Sequence, residues 1–136
     1  MKDGSSIAED LDLIEVLKSR SLPIFCSQGR TLFGQGDACN GLYILESGEA
    51  ALVQKAPSGR AVFCLNVGSG SLLGLPAVVG KKPYSMTAVV KRGSKVSFVT
   101  PYDFEVLIEA DPRLYPEVLQ LLAAEIRSAR LALSDT

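Results

Sequence analysis

Between Pro23 and Thr100 the sequence alternates short apolar runs with turns that contain glycine, and this alternation constrains the fold more than any other feature. Short runs bounded by turn residues are typical of strands rather than helices. Strands at such even spacing favour an antiparallel roll or sandwich. The predicted strands are Ile24–Ser27, Thr31–Phe33, Tyr43–Glu46, Ala50–Lys55, Ala61–Leu65, Leu72–Leu73, Thr87–Val90 and Lys95–Val99.

Tyr43, Leu45, Ala51 and Val53 alternate with polar positions on the central predicted hairpin. Side chains two residues apart in a strand point to the same face of the sheet. We therefore expect these four residues to form the buried face of the hairpin, with its turn at Ser47-Gly48.

Helical patterns flank the predicted strands on both sides. A helix is predicted from Ser6 to Arg20, because Ser6 and Glu9 form a capping box before an apolar stripe of three- and four-residue steps. Thr100-Pro101 predicts the start of a short helix that ends near Glu109, and an irregular turn precedes a last helix over Pro116–Leu133. The expected organisation is one domain over residues 1–136: an N-terminal helix (1–22), a β region (23–100) and C-terminal helices (101–136).

The last predicted helix has an apolar seam with the three- and four-residue steps of a coiled coil. Val118 and Leu121 widen the apolar face beyond what one partner surface can use. We expect one side to pack on the β region and the seam to contact a second copy in a homodimer. The alternative is that the whole face packs within one chain. The seam residues are Leu119, Leu122, Ile126, Ala129 and Leu133.

Composition argues against several classes of protein. The chain contains no histidine, which removes the commonest general base and metal ligand, so we expect neither an enzyme nor a cofactor. The spacing of Cys26, Cys39 and Cys64 matches no metal motif. A net charge of −1 argues against nucleic-acid binding by this segment. Without a signal peptide or an apolar stretch of membrane-spanning length, a cytoplasmic protein that does not bind membranes is expected.

Two segments, Thr31-Leu32-Phe33-Gly34-Gln35-Gly36-Asp37 and Gly41–Ala50, together with the Gly70–Gly74 turn, carry a family resemblance. They resemble the cyclic nucleotide-binding domain of the bacterial catabolite-activator/fumarate-nitrate-regulator (CRP/FNR) family, over nearly the whole chain. The resemblance implies an eight-strand antiparallel β-roll of the jelly-roll or double-stranded β-helix type. It also implies a small-molecule-sensing domain of a transcriptional regulator, or a stand-alone relative, that signals through a dimer helix. The family's DNA-binding domain usually follows, and we expect none in this chain.

The resemblance also places the ligand contacts, which we call the cassette. In members that bind cyclic AMP, a glutamate after the cassette glycine accepts from the ribose, and an arginine about ten residues later pairs with the phosphate. Here Leu75 stands at the glutamate position, Tyr84 or Ser85 at the arginine position, and Pro76 lacks an N–H. Weak or atypical binding of a cyclic nucleotide or another small ligand is expected. The alternative is a ligand-free dimerisation or protein-interaction module whose pocket is closed by Leu75 or Tyr84. The cassette residues are Gly74, Leu75, Pro76, Ala77, Tyr84, Ser85 and Thr87.

Overall fold

Two four-stranded antiparallel sheets dominate the computed structural model, which describes the backbone of residues 12–134 and the side chains of residues 12–124. The strand orders are β1-β8-β3-β6 in the first sheet and β2-β7-β4-β5 in the second. The strands are β1 Leu22–Cys26, β2 Arg30–Phe33, β3 Leu42–Ser47, β4 Ala50–Lys55, β5 Ala61–Val67, β6 Ser71–Leu73, β7 Thr87–Val90 and β8 Ser94–Val99. The helices are α1 Leu13–Lys18, α2 Leu75–Gly80, α3 Pro101–Ala110 and α4 Tyr115–Ser134, with a 3₁₀ turn at Pro112–Leu114.

The predicted fold class is confirmed: residues 12–134 form eight antiparallel strands in two sheets, and helices precede and follow the strands in the sequence. Ala50–Lys55 and Thr87–Val90 have the predicted bounds, and the other strands differ by one or two residues at one or both ends. Glycine-containing turns therefore located the strands well.

The prediction of which face of strand β4 is buried was wrong. Ala50 and Leu52 are the buried residues of this strand, whereas Ala51 and Val53 are half-buried. On β3 the predicted residue Tyr43 is buried, but so is its neighbour Ile44, because this strand is covered on both faces. Alternation is a weak guide in a strand that is apolar at nearly every position.

The N-terminal helix is shorter than predicted. Asp12 is extended, and its side chain accepts a hydrogen bond from the backbone N–H of Ile14, so a helix begins at Leu13. One continuous helix from Ser6 to Arg20 is therefore wrong, and the predicted cap at Ser6 lies outside the described residues. Leu13 donates its N–H to the carboxylate of Glu117 at 3.2 Å, which fixes α1 to α4.

The C-terminal helices follow the predicted pattern. Thr100 caps α3 by accepting from the N–H of Asp103 at 3.1 Å. The irregular turn becomes the 3₁₀ turn, in which Asp111 accepts from the N–H of Arg113. Pro116 lies in the first turn of α4, where a missing N–H costs no helical hydrogen bond.

The first sheet divides the core into two layers. Tyr43 and Leu45 of β3 point into a cluster between the two sheets, whereas Leu42 and Ile44 point into a cluster with the helices. Helix α2 contributes to both clusters, with Ala77 on the sheet side and Val78 on the helix side. This short helix thus packs in both layers of the core.

Candidate functional site

Five of the seven cassette residues line one small cavity at the start of α2, next to Phe33 and Leu52. Leu75 and Thr87 do not line it. Leu75 is 1% exposed and packs in the helix-side cluster. The hydroxyl of Thr87 accepts from the N–H of Gln35 at 2.9 Å and so braces a turn instead. The residues at the cavity are Gly74, Pro76, Ala77, Tyr84 and Ser85.

Gly74 begins α2 in a conformation that a larger residue would strain. Its φ is +91°, and a Cβ atom there would lie 3.0 Å from Cε1 of Tyr84 and 3.4 Å from the carbonyl oxygen of Gly41. Only glycine adopts this backbone without penalty and leaves room for the tyrosine ring. A glycine at position 74 is therefore needed for the Tyr84 ring to pack where it does.

The side chain of Tyr84 is 3% exposed, and its hydroxyl is fully engaged by the protein. The oxygen accepts from the N–H groups of Asn40 at 3.2 Å and Gly41 at 3.1 Å. The phenolic proton can be donated to Oδ1 of Asn40, at 2.6 Å, or to the carbonyl of Gly41. Burial raises the pKa of Tyr84 above its ordinary value, so the phenol stays neutral.

The ring of Tyr84 stacks on Phe33, with centroids 3.8 Å apart and planes at 14°. Its backbone is held as well: the N–H of Tyr84 donates to Asp37, and its carbonyl accepts from Gly36. The cavity that remains measures about 10 Å³, which is close to the space for one water molecule. Small-molecule sites usually measure about 300–1,000 Å³, so the cassette is filled by its own side chains.

The lysines after α2 do not supply the missing charge. Lys81 and Lys82 line a separate groove, and no lysine or arginine of the described side chains lines the cassette cavity. Lys81 lies 3.8 Å from Glu105 of α3, and both side chains are substantially exposed. The cassette cavity is therefore neutral.

Two further grooves, besides the one that Lys81 and Lys82 line, border α2 and are larger than the cassette cavity. The helix groove, of about 300 Å³, is lined by apolar residues of α2, α3 and α4: Val78, Val79, Phe104, Ile108, Leu119 and Leu122. The roll groove, of about 280 Å³, lies between the β-roll and α4 and is lined by Leu52, Leu65, Val67, Leu75 and Leu121.

Four contacts of the site were missed by sequence reasoning: Phe33, Asn40, Leu52 and Met86. Phe33 and Asn40 lie more than forty residues from Tyr84 in sequence. Two of the four had a local signal: Phe33 stands in a segment that carries the family resemblance, and Met86 lies between two cassette residues.

Residues 23–111 match the family model described as the cyclic nucleotide-binding domain. The chain belongs to the cyclic nucleotide-binding domain family. The predicted family is thereby confirmed.

Similar proteins are regulators of the CRP type. The cyclic AMP receptor protein of Thermus thermophilus is 28% identical over 126 residues, which cover 92% of this chain and 56% of that protein. A CRP-like cAMP-activated global transcriptional regulator of Mycobacterium tuberculosis is 23% identical and is matched over 90% of this chain and 54% of its own length. The chain thus spans about half the length of the curated relatives it matches.

Solved structures agree with this assignment. The catabolite activator protein of Thermus thermophilus superposes with a TM-score of 0.78 and 26% identity, over 92% of this chain and 60% of that one. The c-di-GMP responsive regulator CLP of Xanthomonas campestris superposes with a TM-score of 0.71 over 90% of this chain and 60% of its own, and at 15% identity it supports the fold alone.

Within this family, the cyclic nucleotide-binding domain described here lacks the expected cassette chemistry. Leu75, at the position that the resemblance assigns to glutamate, packs in the helix-side cluster. Tyr84 and Ser85, the two candidates for the arginine position, both line the cavity and are uncharged. Among the described residues, no cluster of three histidine, cysteine or acidic side chains could hold a metal ion. Within the same part of the chain, no helix is long and apolar enough to cross a membrane.

Proposed function

We propose that this chain is a regulatory domain of the CRP type that holds no cyclic nucleotide in its cassette and works as a ligand-free dimerisation and interaction module. One observation carries the proposal: the cavity that Gly74, Tyr84 and Ser85 line measures only about 10 Å³, and the buried Tyr84 ring occupies the space beside it. Of the two functions that the sequence left open, this favours the closed module.

The energy needed to open the cassette supports the same function. Moving Tyr84 aside loses its stacking on Phe33, which costs about 0.5–1.5 kcal/mol. The buried N–H of Gly41 then lacks a partner, which costs about 1–3 kcal/mol. The missing arginine removes a charged hydrogen bond of about 1.5–3 kcal/mol. Even the lower limits together weaken nucleotide binding by more than about 100-fold.

The surface of α4 supports a role in dimerisation. Val118 is 4% exposed and packs inward, whereas Leu119 is 64% exposed on the neighbouring face. Leu122 is half-buried. The remaining seam residues, Ile126, Ala129 and Leu133, have side chains outside the described part, so the homodimer remains a prediction. Similarity to CRP-type regulators supports a role for the module in transcription control.

Thermal shift with cyclic AMP and cyclic GMP tests the closed cassette, with the Thermus thermophilus cyclic AMP receptor protein as a positive control. A ligand at about 100 times its Kd stabilises a fold by about 2.7 kcal/mol. For a domain of this size that corresponds to a Tm increase of roughly 8–14 °C. We expect no increase with either nucleotide. An increase of several degrees at micromolar cyclic AMP would overturn the proposal.

A second function, sensing of an apolar small molecule, is favoured by the roll groove. This groove contains Leu75 of the cassette and Leu121 of α4, so a ligand there would contact both elements. Its lining is apolar and suits an uncharged ligand better than a phosphate. The same assay with a library of uncharged apolar compounds separates the two functions: a saturable Tm increase that Leu121→Glu abolishes would favour sensing.

A further inference from the structure

The helix groove is an apolar surface that the cassette does not use. Three of its neighbours are large apolar side chains with substantial exposure: Val79 at 40%, Tyr115 at 46% and Leu119 at 64%. They belong to two different helices, α2 and α4, that meet at one cavity of about 300 Å³. Contiguous exposed apolar surface of this kind marks an interaction site more often than isolated exposed residues do.

We propose that the helix groove is part of the interface with a second copy of this chain, and that Val79 of the cassette helix α2 lies in that interface. The inference rests on the dimer of the proposed function and adds α2 to its contact surface. Continuity is the first reason. Leu119 and Leu122 line the groove and are also the first two positions of the predicted seam, so a helix that covers them also covers the wall formed by Val79.

Size is the second reason. Eleven residues line the groove, fewer than the roughly 20–30 residues a side of a stable protein interface, so the groove does not support one alone. It therefore fits as the end of a longer contact. The backbone of α4 remains helical to Ser134, which provides that length alongside the groove.

Charge at the rim is the third reason. Lys81 and Glu105 lie 3.8 Å apart at the rim, and Glu109 also lines the groove. An interface between two identical copies presents the same patch twice, so a patch with both signs can be complementary to itself. A nucleic acid or an anionic membrane would instead favour a rim of positive charge.

This interface gives α2 a partner that replaces a ligand. The helix contacts the cassette through Ala77 and the helix-side core through Val78, while Val79 points to the groove. A second copy that packs on Val79 therefore stabilises the position of α2 in which Tyr84 closes the cassette. By linkage, closing the cassette must strengthen dimerisation to the same extent.

Sedimentation velocity of the whole chain over a range of concentrations tests the inference. Val79→Glu is compared with Val89→Glu, a matched control that is 37% exposed on β7. We expect Val79→Glu to raise the dimer Kd by about tenfold or more, as removal of a buried interface contact does. Val89→Glu should leave the Kd within about twofold of the wild type. Circular dichroism confirms that each variant is folded, and Val79→Ser replaces Val79→Glu if the latter is not.

Leu119→Glu separates the inference from the proposed function. If Leu119→Glu disrupts the dimer and Val79→Glu does not, the seam is used but the helix groove is not, and the inference is wrong. If the wild type is monomeric at every concentration, both the inference and the proposed dimer fail, whereas the closed cassette is judged separately by the nucleotide assay. If Val89→Glu weakens the dimer as much as Val79→Glu, the interface lies elsewhere and the inference is again overturned.

Discussion

Replacing Tyr84 by phenylalanine removes the hydroxyl that closes the cassette while keeping the ring that stacks on Phe33. Two backbone N–H groups, those of Asn40 and Gly41, lose their acceptor in this variant. The N–H of Gly41 is buried and cannot donate to water instead, whereas that of Asn40 is partly exposed and can. Leaving one buried donor unpaired costs about 1–3 kcal/mol. No cavity larger than the lost oxygen is created, so this cost accounts for most of the effect.

Urea unfolding measures this loss. For Tyr84→Phe we expect a lower midpoint with an unchanged m-value, equivalent to a Tm decrease of roughly 4–12 °C for a domain of this size. Tyr102→Phe is the control, because Tyr102 is 71% exposed, and it should change stability by less than about 0.5 kcal/mol. If Tyr84→Phe were as stable as the wild type, the hydroxyl would not hold the 40–41 segment, and the account of a braced cassette would be refuted.

Three more predictions follow from the same region and from the first sheet. Burial raises the pKa of Tyr84 in the folded protein. The free energy of unfolding should therefore fall as pH rises above about 10, the pKa of tyrosine in the unfolded chain. Alkaline unfolding should show a smaller fall for Tyr84→Phe than for the wild type. Gly74→Ala should cost about 1 kcal/mol more than Gly59→Ala in chemical unfolding, because both glycines have a φ of +91° but only Gly74 has neighbours within 4 Å of an added Cβ. A hydrogen bond from Ser97 lowers the pKa of Glu46. Glu46→Gln should therefore lower the free energy of unfolding near neutral pH, by at most about 1 kcal/mol. When stability is measured at decreasing pH, the difference from the wild type should disappear below about pH 4.

The sequence indicated the strands well because their ends are encoded locally. Glycines such as Gly48 and Gly93 have positive φ at the turns that join strands, and a turn of this kind can be read from a few neighbouring residues. Helix starts were predictable for the same reason where a cap was present, as at Thr100. Asp12 was missed because the apolar stripe continues past it, although its side chain is a good cap.

The closed cassette could be predicted only in part. The absence of glutamate at position 75 and of arginine at position 84 or 85 indicated weak nucleotide chemistry, but it did not show whether the space was empty or filled. That depends on Phe33 and on the backbone at Asn40 and Gly41, which meet Tyr84 through long-range packing. The direction of Leu75, toward the helices, was equally hidden, because an apolar residue at the start of a six-residue helix could face either layer of the core.

The loss of nucleotide chemistry and the fixed position of α2 have one structural cause. In a helix of six residues, consecutive side chains serve different neighbours: Leu75 and Val78 contact the helix-side core, Ala77 contacts the cassette, and Val79 reaches the surface. The helix cannot shift toward one neighbour without leaving another. A tyrosine that fills the cassette and bonds the 40–41 segment therefore holds α2 in a single position, and the groove between α2 and α4 is then formed before any partner binds. For this reason a neutral, buried Tyr84 is better understood as a structural replacement for a ligand than as a weak substitute for arginine.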